Sequence, residues 1–239
     1  MLKIVIPLAG SSEQFYNAGY AYPKPLIDVK GTPMVQLVVE KVSAIAGNRQ
    51  LIFIVREEDA RKYHLDNTLR LLSPDCEVIR LKKDTRGGLC SVLMAIDKVS
   101  GEDELLVLNG DQVIDEDFTR IMDHWKATGA EAGVVTFKSV HPRWSYARIA
   151  DGEVVQTAEK NPISQHAIAG YYYFARASVF FECAFSAIKN DVQTDGNYYI
   201  SPVMNEYVLL GRKVMNYHIA TGKYHSFYSP QMLKDFESK

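Results

Sequence analysis

Four charged residues stand where short apolar runs give way to small or turn-forming residues. Lys24 lies between Pro23 and Pro25, Asp111 closes Asn109-Gly110-Asp111, and Glu159 with Lys160 opens Glu159-Lys160-Asn161-Pro162. Prolines on both sides restrict the backbone of Lys24 and give its cation a defined place. A carboxylate directly after a buried strand can hold Mg²⁺ against substrate phosphates. A lysine after the strand Val154 to Ala158 can bind a phosphate as a point charge. The run Ile4-Val5-Ile6-Pro7-Leu8 ends in Ala9-Gly10-Ser11-Ser12, small residues over which a phosphate chain can approach the backbone. The shared chemistry is phosphate recognition. Each group also has a plainer reading: Asp111 as the cap of the next helix, Lys24 and Lys160 as solvated loop lysines.

The aromatic residues Trp144, Tyr146, Tyr171, Tyr172 and Tyr173 either line a pocket for a polar small molecule or pack as strand residues. Alternation along a strand sends Tyr172 to the face opposite Tyr171 and Tyr173. Six histidines show no close pair of metal-binding spacing, and no G-x-S-x-G element or cysteine-nucleophile signature occurs. Cys76, Cys90 and Cys183 are far apart and suit a reducing cytoplasm as buried small hydrophobes. The 239 residues are 47% hydrophobic and 23% charged, an ordinary globular composition. A net charge of −2 gives no basic field for nucleic acid or an anionic membrane. No apolar stretch is long enough for a transmembrane helix, and the N-terminus reads as a strand, not a signal peptide.

These residues need a frame. Lys3 to Leu8, Leu51 to Val55, Glu77 to Leu81 and Leu105 to Leu108 read as strands. Helices are predicted over Met34 to Ile45, Glu57 to Leu72 and Ser91 to Val99. The alternation is that of a parallel sheet with right-handed crossovers, whose ligands lie beyond the carboxyl ends of the strands. Three loops fall there: Ala9 to Lys24, Asp84 to Gly88 and Asn109 to Gln112. The second half reads as strands Ala132 to Phe137, Tyr146 to Ile149, Val154 to Ala158, Ile168 to Phe174 and Val214 to Ile219, with helices Ser178 to Lys189 and Ser201 to Leu209.

Leu8-Ala9-Gly10, Pro23-Lys24-Pro25-Leu26, Asn109-Gly110-Asp111 and Glu159-Lys160-Asn161-Pro162 occur in the order seen in nucleotidyltransferases of the sugar-1-phosphate type, and nearly the whole chain resembles them. Gly19 to Met34 and Thr136 to Tyr146 look like a branch common in bacterial capsule and surface-polysaccharide clusters. The resemblance implies transfer of a nucleoside monophosphate from an NTP, with CTP or UTP favoured, to a phosphorylated acceptor such as a sugar 1-phosphate. It implies backbone contacts to the nucleotide from Leu8, Ala9, Gly10, Ser11 and Ser12, with Gln14 in the same loop and Asn109 and Gly110 nearby. Gly87 or Gly88 would pass under the base, and Lys24 would bind NTP phosphates. Asp111 would hold Mg²⁺, and Lys160 would bind the acceptor phosphate with Glu159 and Tyr146 beside it.

Two departures stand out. The family loop usually reads G-x-G-[ST]-R, whereas this chain has Ser12 for the second glycine, Gln14 for the arginine, and Glu13 between them. Arg86 and Lys83 are the nearby candidates to replace the missing cation. Near the C-terminus, Tyr224 to Pro230 contains no carboxylate where the family often has a second metal ligand. The predicted fold is α/β: a Rossmann-like mixed, mostly parallel central sheet flanked by helices, with a smaller substrate-facing subdomain in the second half. One domain is expected over 1–239, with a nucleotide-binding half to about 130 and an acceptor-binding half beyond. The expected protein is cytoplasmic, and homo-oligomerisation stays open. Two other functions remain in view: a catalytically weakened relative acting as partner or regulator, and a nucleotide-sugar glycosyltransferase. The latter usually carries D-x-D, of which only Asp111 is present.

Overall fold

Leu2, Ile4, Val5 and Ile6 are all buried, as a continuous β-branched run is in a sheet covered on both faces. The computed structural model describes residues 1–238. In its first half, β1 (Leu2–Pro7), α1 (Glu13–Asn17), β2 (Asp28–Val29), β3 (Thr32–Pro33), α2 (Met34–Ser43), β4 (Arg49–Arg56), α3 (Glu57–Tyr63), α4 (Leu65–Leu72), β5 (Glu77–Leu81), α5 (Gly88–Leu93), β6 (Glu104–Leu108), β7 (Gln112–Ile114) and α6 (Phe118–Ala127) follow in order. The second half contributes β8 (Ala132–Lys138), β9 (Tyr146–Ala150), β10 (Glu153–Ala158), β11 (His166–Phe174), α7 (Ala177–Lys189), α8 (Val203–Leu209), β12 (Val214–His218), β13 (Tyr224–Ser226) and α9 (Pro230–Glu237).

A nine-stranded sheet has the order β5-β4-β1-β6-β11-β8-β12-β10-β9. It is parallel from β5 to β6. β11 then runs antiparallel to both β6 and β8, and β12 is parallel to β8. The mostly parallel character expected of the whole sheet therefore belongs to the first-half strands. One apolar layer holds Ile4, Ile6, Phe53, Leu106, Tyr171 and Tyr173, and the other holds Val5, Ile52, Ile54, Leu105, Tyr172 and Phe174. Tyr172 lies opposite its two neighbours, as alternation requires.

The long helix expected over residues 57–72 is two helices, because His64 takes a left-handed conformation (φ 54°) between them. That break lets Leu65 and Leu69 bury. The helix expected from Ser91 starts earlier, at Gly88, and ends at Leu93, with a 3₁₀ turn over Ile96–Lys98. α1, α9 and the β7–β13 pairing were not expected. Between Ile168 and Tyr172 the register of β11 against β8 shifts. Gly170 sits in that bulge with φ 70°, where a Cβ would collide with the side chains of Gln112 and Asn109. Among the described residues no helix is long and apolar enough to cross a membrane.

Candidate active site

A cavity of about 560 Å³ opens beyond the carboxyl ends of β1, β4 and β6 and extends over β11 toward β10. Leu8, Ala9, Gly10 and Ser11 line it from one side. Their path is tied to the sheet by a hydrogen bond from the Leu8 amide to the Ile54 carbonyl, 2.7 Å. Ser12 turns inward instead: its Oγ accepts from the Lys24 amide at 2.9 Å. Gln14 is exposed on α1 and does not reach the cavity wall. Ser12 thus fastens the lysine turn, whereas Gln14 faces solvent.

Lys24 begins a 3₁₀ turn over Lys24–Leu26. Its Nζ lies 2.7 Å from Asp111 Oδ2, with the two side chains only 17% and 12% exposed. The helix-capping alternative for Asp111 does not hold, because Asp117 caps α6 by accepting from the Thr119 amide at 2.8 Å. Asp111 is held by backbone: its carbonyl accepts from the Phe227 amide at 2.8 Å, and the neighbouring Asn109 amide donates to the Gly170 carbonyl at 3.1 Å. A Cβ on Gly110 would run into the Leu8 side chain, so glycine lets the end of β6 pass beneath β1's loop.

Gly87 and Gly88 line the cavity at the start of α5. Gly87 has φ 98°, and a Cβ there would meet the Tyr198 backbone. The Tyr198 amide donates to the Arg86 carbonyl at 2.8 Å, and the Leu89 amide donates to the Tyr198 carbonyl at 3.1 Å. Loops from the two halves of the chain are clasped together at this point. Arg86 itself lies over the Tyr198 ring, 5.2 Å from the centroid, and neither it nor Lys83 lines the cavity.

At the other end of the cavity, Glu159 Oε2 accepts from Ser145 Oγ at 2.5 Å and Ser201 Oγ at 2.7 Å. Lys160 has φ 52°, and its Nζ lies 2.9 Å from Asp195 Oδ2 and 5.1 Å from the Tyr199 ring centroid. Trp144, Arg143 and Tyr172 also line this end. Tyr146 does not: it is fully buried, and its hydroxyl donates to the His141 carbonyl at 2.7 Å. The expectation that Tyr146 sits beside the acceptor is corrected by strand pleating, which points its ring into the core while the adjacent Ser145 faces Glu159. Ser145, Ser201, Asp195, Tyr199 and the cleft-lining Arg56 were missed. Ser145 could have been found from its place between two nominated aromatics.

Burial pushes the Glu159 carboxyl above its ordinary value of 4.5, against the opposing pull of the Ser145 and Ser201 hydroxyls and the Lys160 charge. A carboxyl whose folded-state value is raised binds more protons folded than unfolded, so it lowers stability as pH rises from its ordinary value through its folded one. Glu159→Gln keeps the acceptor oxygen for both serines and removes that slope. The difference in thermal midpoint between variant and wild type is therefore expected to grow in favour of the variant between pH 4.5 and neutrality. A constant difference across that window tells against the assignment.

Among the described residues, no three His, Cys, Asp or Glu side chains converge as a metal site. Mg²⁺ commonly binds through one or two carboxylates plus substrate phosphates and waters. Asp111, on the cavity wall beside Lys24, fits an ion shared with phosphates, not a caged resident ion. Ser226, which pairs with Gln112 through β13 and β7, supplies no second carboxylate.

The cavity lies at the carboxyl ends of central strands and brings lysines and arginines together with two loops of small residues. Residues 3–232 match the family model described as nucleotidyl transferase, and the chain belongs to that family. Among curated relatives, the bifunctional protein GlmU of Methanocaldococcus jannaschii is 27% identical over 178 residues, covering 72% of this chain and 40% of that one. The UTP–glucose-1-phosphate uridylyltransferase of Staphylococcus epidermidis is 25% identical over 149 residues, covering 53% of this chain and 51% of that one. The chain spans about 40% of the length of the first of these relatives. Among solved structures, a nucleoside-diphosphate-sugar pyrophosphorylase from Vibrio cholerae superposes with a TM-score of 0.85 at 25% identity, covering 99% of this chain and all of that one. A putative glucose-1-phosphate thymidylyltransferase from Bacillus anthracis, at 21% identity and a TM-score of 0.77, covers 100% of this chain and 94% of that one and shares the fold.

Proposed function

We propose that this chain transfers a nucleoside monophosphate from an NTP to a phosphorylated acceptor of the sugar 1-phosphate type, releasing pyrophosphate. The observation that carries the reading is one cavity with the Lys24–Asp111 pair at one end and Lys160 with Glu159 at the other. An acceptor phosphate oxygen forms a bond to the α-phosphorus as the bond to the β-phosphate oxygen breaks. The nucleophile is already an anion, so no general base is required, and the work is positioning and charge neutralisation. Lys24 would meet the charge developing at the α-phosphorus. Lys160 would fix the acceptor phosphate, and Glu159 would receive its hydroxyls. Leu8, Ala9, Gly10 and Ser11 would follow the nucleotide, Asn109 and Gly110 would pass beneath it, and Gly87 and Gly88 would lie under the base. Asp111 would hold Mg²⁺, which when bound supplies bridging neutralisation of phosphate oxygens.

CTP or UTP is the favoured nucleotide; the UTP-using relative named above supports UTP. A role in surface-polysaccharide precursor synthesis, in the cytoplasm where NTPs are made, rests on the stretches Gly19 to Met34 and Thr136 to Tyr146. A second reading is a relative that binds but turns over poorly, favoured by a phosphate loop whose only charged side chain is Glu13. A matrix of the common NTPs against phosphorylated sugars, polyols and amino acids, with Mg²⁺ and pyrophosphate detection, tests both. Pyrophosphate release from one pair is expected. Binding without release supports the second reading, and release of a free nucleoside diphosphate from a nucleotide sugar points to a glycosyltransferase.

A further inference from the structure

We propose that Arg56 is the phosphate-binding cation of the nucleotide end of the cleft, supplying from β4 the charge that the Ala9 to Gln14 loop lacks. This rests on the reading that a nucleoside triphosphate enters at that end. Among the described residues, four cationic side chains line the cavity: Lys24, Arg56, Arg143 and Lys160. Lys160 belongs to the acceptor end with Asp195, and Arg143 is engaged with His141 and Met232. Lys24 faces Asp111, so that pair alone presents no net positive charge to a triphosphate.

Arg56 ends β4, which runs parallel to β1 with Pro7 opposite Ile54. This register sets Arg56 level with Ala9, and its Nε donates to the Ala9 carbonyl at 3.2 Å. The bond orients the guanidinium over the loop and leaves its terminal nitrogens free to serve another group. One of them now pairs with Asp84, whose side chain is 73% exposed. An ion pair with so exposed a partner is weakly held and readily exchanged. A phosphate presents two oxygens to the planar fork in the same manner, with more charge. Binding of the triphosphate exchanges Asp84 for phosphate at Arg56 while the Ala9 contact stays in place.

Calorimetric titration of UTP, CTP and inorganic pyrophosphate into wild type, Arg56→Ala, Arg56→Lys and Asp84→Asn tests the assignment. Arg56→Ala is expected to weaken the NTP that binds, and pyrophosphate, by about ten- to fiftyfold. Arg56→Lys, which keeps the charge but neither the fork nor the Nε bond to Ala9, is expected to recover only part of that loss, and Asp84→Asn to bind both ligands at least as tightly as wild type. The assignment is overturned if Arg56→Ala binds both like wild type, or if Asp84→Asn is weakened as much as Arg56→Ala. These affinities do not depend on turnover. Wild type that binds nucleotide without releasing pyrophosphate fails the transfer reaction and still allows Arg56 to be judged. Wild type that binds neither an NTP nor pyrophosphate overturns both.

Discussion

Lys24→Ala is expected to lower the rate of pyrophosphate release by about 10²–10³-fold, the range seen when a preorganised electrostatic donor is removed from an active site. The effect is large because two things change together. The cation proposed for the α-phosphorus is lost, and Asp111, now 2.7 Å from the ammonium, is left facing the phosphates uncompensated. Asp111→Asn tests the second part. It spares the lysine but removes the carboxylate proposed to share Mg²⁺, so its rate should fall at saturating nucleotide and recover partly at raised Mg²⁺. The double variant should be far less impaired than the product of the two single losses, since contacting residues couple. Steady-state rates of the three variants with their thermal midpoints check this. Full activity in Lys24→Ala sinks the proposed mechanism.

Lys160→Ala is expected to raise KM for the phosphorylated acceptor by about 10–100-fold, while KM for the NTP stays near wild type. Hydrogen bonds with Tyr199 and Asp195 hold the Lys160 ammonium well above its ordinary value, so it stays charged across every workable pH. Acceptor affinity should then be flat toward alkaline pH. It should weaken below about pH 6, where the acceptor's own phosphate takes up its proton. A loss of acceptor affinity with an alkaline midpoint contradicts this. Equal rises in KM for both substrates place Lys160 outside the acceptor end.

The sites that were legible in the sequence share one property: the local chain alone determines them. Lys24 between two prolines, Asp111 after an apolar strand and Lys160 in the turn that follows a strand each announce position and charge within a few residues. The first-half strands were legible for the same reason, since unbroken apolar runs bounded by small residues admit little else. The elements that were missed depend on distant pairing. Ser145 and Ser201 matter only because the turn after β10 sets Glu159 between them. Arg56 reads as the ordinary last residue of a strand until β4 is set beside β1. Tyr146 was misplaced by a single residue of pleat, the difference between a core ring and a cavity wall. Gln14 occupies the position expected of a loop arginine, but the short helix α1 turns it outward, which no local pattern signalled.

The placement of β11 governs how the chain can be made. Residues 166–174 lie between β6 and β8 in the sheet, although they are synthesised after both. Until Phe174 has left the ribosome, β6 carries an open hydrophobic edge, with Leu105 to Leu108 lacking their second partner strand. A nascent chain stalled near residue 130 therefore displays a sticky strand edge that a holdase would recognise. The sheet closes only when vectorial synthesis delivers its central strand late, so a truncated first half is a poor starting point for engineering an isolated nucleotide-binding module.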